Sequence, residues 1–276
     1  LDQLGILPFS MRTSPHKHVL SIRMLASGSG GNAILFSVER MNFLIDAGLS
    51  CRELERRLAL ADVNVSDLQA VFVTHEHTDH IRGVGVLSRK HKVPIYMNKK
   101  TFAVARSAVG EIPTAITFRT GDIVEMNGLS IQTYSVPHDA SDPVGLCIQN
   151  STCRIGIALD MGYSTKLVKQ RLCNSDVLIL EFNHDREMLL QCNRPWELKQ
   201  RILSKTGHMS NDAALALLSE LVHERLRAVV LAHVSKEANC PHHALSLVDE
   251  HLKKIGRTDV RIFVGDQDHV GLPILI

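Results

Sequence analysis

A chain of 276 residues, 45% apolar and 22% charged, is long enough for one large domain or two small ones and can bury a substantial core. Its 31 Lys and Arg against 29 Asp and Glu leave a formal charge of +2, so bulk charge argues neither for nor against a polyanionic partner. No apolar run approaches the roughly 20 residues needed to span a membrane, and the opening residues lack the charged start and long apolar stretch of a signal peptide. Residues 1–18 read as an N-terminal extension ahead of a single domain over 19–276, and a cytoplasmic location is the default expectation.

In chain order, a strand is predicted over residues 21–25, followed by the turn-rich Ser27-Gly28-Ser29-Gly30-Gly31-Asn32. Strands over 33–38 and 42–45 precede a helix over 51–60. Residues 70–74 form a short β-branched run that fits a buried strand. A helix over 80–91, a strand over 93–97 and a helix over 101–109 come next. Asn127-Gly128, between apolar runs at 123–126 and 129–136, marks a hairpin. Further strands are predicted over 145–149, 154–159 and 177–182. The last third turns helical over 194–204, 211–225 and 242–254, with strands over 227–232 and 260–264. This alternation predicts a layered α/β architecture.

Six cysteines (51, 147, 153, 173, 192 and 240) contain no CxxC, so neither a zinc ribbon nor a redox dithiol is indicated. They read as reduced, mostly buried thiols. The unusual count is histidine, at 15, the commonest metal ligand among side chains.

Four predicted strands each deliver a possible ligand just beyond their last apolar residue: His75, His138, Asp160 and His233. Strand ends are rigidly placed, while the loops beyond them can shape a pocket. The densest segment is Thr74-His75-Glu76-His77-Thr78-Asp79-His80. Two histidines one residue apart turn the same way on extended backbone and can grip one ion, while Asp79 and His80, opening a helix, can face a second. Imidazole with carboxylate suits zinc, manganese or iron. Zinc is the first expectation and manganese the next.

The HxHxDH motif, followed in order by His138, Asp160 and His233, resembles the ligand set of the metallo-β-lactamase superfamily. The matched pattern runs from about residue 27 to 235. The resemblance implies a four-layer αββα sandwich with the site at one edge. It implies one ion on His75, His77 and His138, a second on Asp79, His80 and His233, and Asp160 bridging them.

Details within the motifs separate the branches. Antibiotic-cleaving members generally lack the histidine supplied here by His80. Val136-Pro137-His138-Asp139-Ala140 departs from the Gly-His-Thr-Pro-Gly-His style of glyoxalase II-like thioesterases. The Ser27–Asn32 turn, Gly207-His208-Met209-Ser210-Asn211, Leu231-Ala232-His233-Val234-Ser235-Lys236-Glu237 and Glu181-Phe182-Asn183-His184-Asp185 resemble the small bacterial WalJ-like (YycJ) exonucleases. About seventy residues separate Asp160 from His233, too few for the inserted β-CASP domain of larger relatives.

The resemblance implies a 5′→3′ exonuclease on double-stranded DNA, working by metal-activated hydroxide attack on phosphorus with Asp79 orienting the nucleophile. His208, or else His184, would assist the leaving group. Asp46, Ser29, Asn32, Glu181, Ser235 and Lys236 are candidate supporting or substrate residues. Some of these segments also have plainer readings: Ser27–Asn32 as a hairpin turn, and Ser210 or Asn211 as a helix cap. The basic residues 52, 56, 57, 99, 100, 199, 201, 205 and 236 are candidates near the mouth. Neither a membrane nor an obligate protein partner is expected. The alternatives are a small-molecule phosphodiesterase or (thio)esterase on the same fold, and a non-catalytic metal-stabilised DNA-binding protein.

Overall fold

The computed structural model describes residues 20–39 and 41–276. The extension predicted over 1–18 lies outside them. The first sheet contains β1 (Leu20–Ala26), β2 (Ala33–Val38), β3 (Met41–Ile45), β4 (Leu68–Val73), β5 (Ile95–Asn98) and β6 (Ala115–Phe118) side by side in chain order. The β1–β3 pairings are antiparallel and those from β3 to β6 parallel. The second sheet runs, again in chain order, through β7 (Ile123–Met126), β8 (Leu129–Ser135), β9 (Val144–Gln149), β10 (Arg154–Ala158), β11 (Val177–Glu181), β12 (Ala228–Ala232) and β13 (Arg261–Val264). It is antiparallel as far as β10 and parallel beyond. The terminal β14 (Ile274–Leu275) returns to pair with β1 in the first sheet.

Side-chain alternation along the strands builds three cores. In β12, Ala228, Val230 and Ala232 face the core between the sheets, while Val229 and Leu231 face the outer helices. Burial on both faces is why this strand reads as an unbroken apolar run. An aromatic row crosses the first sheet: Phe36 stacks on Phe43 at 5.1 Å, Phe43 meets Phe72 edge-on at 5.9 Å, and Phe72 stacks on Tyr96 at 4.6 Å. Helices α1 (Cys51–Leu60), α2 (Thr78–Ile81), α3 (Val84–His91) and α4 (Lys99–Val109) supply the core outside the first sheet. Outside the second sheet lie α5 (Lys166–Leu172), α8 (Asn211–Leu221) and α9 (Pro241–Lys254). Between them in sequence, α6 (Arg186–Gln191) and α7 (Trp196–Leu203) form a small cluster of their own through Leu189 and Ile202. The result is the expected αββα sandwich. Among the described residues, no helix is long and apolar enough to cross a membrane.

The helix predicted over 80–91 is two helices broken at Gly83. The Gly83 amide bonds Ala47 O, and a Cβ there would lie 2.5 Å from Leu49 O. A close backbone crossing therefore overrides helical periodicity. The edge strands β6 and β14 and the short helices α5 and α6 were not predicted. All six cysteines are free, but only Cys51, Cys147 and Cys153 are buried, with burial pushing each thiol up to about 11. Cys173 is exposed, and Cys192 and Cys240 are intermediate.

Candidate metal centre

The parallel strands bring their carboxyl ends to one edge of the sandwich, where open α/β sheets place their sites. Asp46 follows β3, His75 follows β4, Asp160 follows β10, Glu181 ends β11 and His233 follows β12. Two antiparallel steps bring β8 into the same direction as β10, which adds His138. Asp46, Asp160 and His233 have φ of 61°, 49° and 54°. These left-handed conformations are costly for residues with a Cβ and let the chain turn sharply at the strand end.

The rings of His75, His77 and His138 lie 4.7–5.0 Å apart, centroid to centroid, and nearly perpendicular to one another at 77–84°. A ligand atom from each falls within reach of one ion. His138 Nδ1–H donates to the carbonyls of Thr206 and Gly207, both at 3.1 Å, which frees its Nε2 toward His77 Nδ1 at 3.2 Å. Thr74 Oγ1 donates to Asp46 and accepts from His75 Nδ1–H at 3.0 Å, so His75 Nε2 is free as a ligand.

A second group comprises Asp79, His80 and His233. Asp46 accepts from the Thr74 amide at 2.8 Å and lies 2.8 Å from His80 Nδ1, which turns His80 Nε2 inward. Asp79 Oδ2 stands 3.5 Å from His80 Nε2 and 3.6 Å from His233 Nε2. Asn32 Nδ2 donates to that oxygen at 3.3 Å, and the Asn32 amide bonds Asp79 O at 2.8 Å. Gly48 permits this approach, since a Cβ there would overlap Asp79 O at 1.6 Å.

Asp160 lies between the groups, 2.7 Å from His80 Nε2, 2.8 Å from His233 Nδ1 and 3.9 Å from His75 Nε2. Behind it, Glu181 takes His208 Nδ1–H at 2.6 Å and His233 Nδ1–H at 3.2 Å.

Burial disfavours every charge in this cluster; it prevails at His75 and His138, which are pushed below the usual imidazole value, whereas around Asp160 and Glu181 the opposite charges outweigh it. His233 and His80 hold Asp160 well below the ordinary carboxylate range, and His208 and His233 bring Glu181 down to about 2. Asp46, Asp160 and Asp79 raise His80 well above its usual value. The carboxylates thus attract positive charge, which divalent ions can supply. Hydrogen bonding supports the fit. His75 Nε2 and His233 Nε2 are buried without a hydrogen-bond partner among the described residues, and both oxygens of Asp160, though approached closely by His80 and His233, accept no hydrogen bond of adequate geometry. At about 1–3 kcal/mol each, four such atoms would consume much of a typical net stability of about 5–15 kcal/mol. Coordination to bound ions would satisfy all four.

A model described as a β-lactamase superfamily domain matches residues 41–234. Exodeoxyribonuclease YycJ of Bacillus anthracis is 34% identical over 239 residues, covering 86% of this chain and 90% of that protein. Exodeoxyribonuclease WalJ of Streptococcus pneumoniae serotype 2 is 34% identical over 220 residues, covering 78% and 82%. The chain belongs to the metallo-β-lactamase superfamily. It is an enzyme, a hydrolase of that superfamily. Among solved structures, the metallo-β-lactamase fold protein YhfI from Bacillus subtilis matches with a TM-score of 0.73 at 16% identity, over 94% of this chain and all of that one, a likeness that carries the fold alone. Between Asp160 and His233 the structure has only α5–α8 and β11, with no inserted β-CASP domain.

A cavity of about 450 Å³ opens onto this metallo-β-lactamase site. Ser29, Asp79, Asp160, His208 and His233 line it, and α7 forms the facing wall through Leu198, Arg201 and Ile202. His184 is not among the lining residues and is 1% exposed, with both ring nitrogens unpartnered among the described residues; burial pushes it down to about 4. Ser235 is buried, its amide bonding Asn183 O and its Oγ accepting from Ala238 N. Lys236 pairs with Asp268. Ser210 caps α8 by accepting from Ala213 N.

Of the nine basic residues expected near the mouth, only Arg201 lines the cavity. Arg57 is buried, donating to Leu25 O and Gln267 O, and Lys199 Nζ donates to Leu190 O. Sequence reasoning missed Asp139, which lines the cavity and pairs with Arg201 at 2.5 Å, and Glu76, whose Oε1 accepts from Ser141 N at 2.6 Å and braces the His138 loop. Adjacency to His138 and to the HxH motif was the only available signal for either.

Proposed function

We propose that this hydrolase is a dinuclear-metal-dependent phosphodiesterase, a 5′→3′ exonuclease acting on double-stranded DNA, with residues 19–276 as one catalytic domain. The observation that carries the reading is the pair of donor groups joined through Asp160, on a chain similar over most of its length to two exodeoxyribonucleases. His75, His77 and His138 would hold one ion, Asp79, His80 and His233 the other, and Asp160 would serve both. Zinc is the first expectation and manganese the second. When bound, such ions supply Lewis acidity toward phosphoryl oxygens and lower the pKa of water toward neutrality.

The chain's own residues do the rest. Asp79, oriented by Asn32, places a proton acceptor at the cavity floor. Glu181 fixes His208 through Nδ1, so its Nε2 serves the phosphoryl oxygens or the departing alkoxide. His208 takes this role rather than His184 because it lines the cavity. A cytoplasmic location without an obligate protein partner goes with this reading. The cavity's size favours one second reading, a small-molecule phosphodiesterase.

The test compares kcat/KM on duplex DNA, on RNA and on bis-p-nitrophenyl phosphate, with metal content measured in parallel. The reading expects the highest value on DNA and its loss with a chelator. Turnover confined to the small diester would transfer the protein to the second reading.

A further inference from the structure

We propose that Arg194 and Arg201 form a phosphate subsite gripping a phosphate next to the one cleaved, so that the enzyme selects nucleotide chains over isolated phosphodiesters. The proposal rests on the phosphodiesterase reading of the metal-ligand cluster.

Leu198, Arg201 and Ile202 line the cavity from one face of α7, and Arg194, two residues before the helix, lines it with them. That face looks across the cavity toward His77, Asp79, Asp160, His208 and His233. Four carboxylates line the cavity, those of Asp79, Asp139, Asp160 and Glu237, whereas its permanently charged cations are Arg194 and Arg201. An anionic chain entering here needs these two guanidinium groups to offset that acidity.

Both are held ready. Arg201 contacts Asp139 at 2.5 Å and Arg194 contacts Glu237 at 3.2 Å, each through Nε. Among the described residues, the hydrogen bonds of these two side chains engage Nε alone, which leaves the paired terminal nitrogens of each guanidinium without a protein partner. Such a pair matches phosphate oxygens bidentately. The wall beneath is anchored by Ile202 packed with Leu189 and Ala238, and by Lys199, whose ammonium is turned away onto Leu190 O. A cavity of about 450 Å³ holds one small ligand rather than a duplex. The terminal nucleotide must therefore leave its stack to enter, and the arginines hold the backbone that follows it.

The test measures kcat/KM on a duplex oligonucleotide and on bis-p-nitrophenyl phosphate for the metal-loaded wild type, Arg194→Ala, Arg201→Ala, the double variant and Glu237→Gln. The DNA-to-small-diester ratio is expected to fall about tenfold per arginine, on the scale of charged hydrogen bonds, mainly through KM. The salt dependence of DNA binding should become shallower by about one in logarithmic slope per arginine. Glu237→Gln, on an exposed side chain that can still accept from Arg194 Nε, should lower KM for DNA by removing one of the carboxylates that oppose an anionic chain, whereas a purely structural ion pair predicts no gain. An unchanged ratio and salt slope in the double variant would overturn the subsite. A wild type that cleaves only the small diester would overturn the nuclease reading first, and with it this proposal.

Discussion

His75 and His138 are oriented by uncharged groups, a threonine hydroxyl and two backbone carbonyls, whereas His80 and His233 are oriented by the carboxylates of Asp46 and Glu181. A carboxylate partner raises the basicity of an imidazole and fixes its tautomer more firmly than a neutral one. The two corners of one site are thus built to different electrostatic standards. The corner containing Asp79, His80 and His233 should retain an ion the longer. The corner containing His75, His77 and His138, where His77 is partly exposed, should exchange first.

The largest expected effect comes from breaking the three-histidine corner. His77→Ala should lose one metal equivalent and lower kcat/KM by at least about 10³-fold, read by metal analysis beside kinetics. His208→Gln, which leaves both corners whole, should cost about 10²-fold or more in kcat with metal content unchanged. Asp46→Asn suits the left-handed backbone at that position and removes the charge behind His80. Metal retention in the carboxylate-backed corner should weaken about 10–100-fold, measured by competition with a chelator. Equal loss from both corners would remove the distinction between them.

The smallest effect is a control away from both corners. Arg56 and Arg57 hydrogen-bond Glu53 and hold its carboxyl at about 2, against an ordinary 4.5. A depressed pKa contributes stability that is complete above about pH 4.5 and is lost as the pH falls toward 2. Glu53→Gln should therefore reduce stability by less than about 1 kcal/mol at pH 7 and make no difference near pH 2. Urea melts at several pH values would measure it.

The candidate ligand positions were legible because His75, His138, Asp160 and His233 each stand at the end of an apolar run, and because HxHxDH packs four candidates into six residues. The parallel strands could likewise be read from their continuous apolar composition. What could not be read is whatever depends on a distant chain crossing. His138 is oriented by carbonyls 68 and 69 residues away. Gly83 breaks a well-patterned helix because the backbone of residues 47–49 passes beside it. Arg194 and Lys199 look alike as basic residues near one helix, yet one lines the cavity and the other is buried against α6. Only packing separates them.

The central claim is a metal-dependent exonuclease, and a time course on duplex DNA labelled at its 5′ end tests it most directly. The wild type with zinc or manganese is compared with a chelated sample and with His77→Ala. Early release of labelled mononucleotide by the metal-loaded wild type, absent from both controls, is the predicted result. Intact DNA with fully metal-loaded protein would contradict the account.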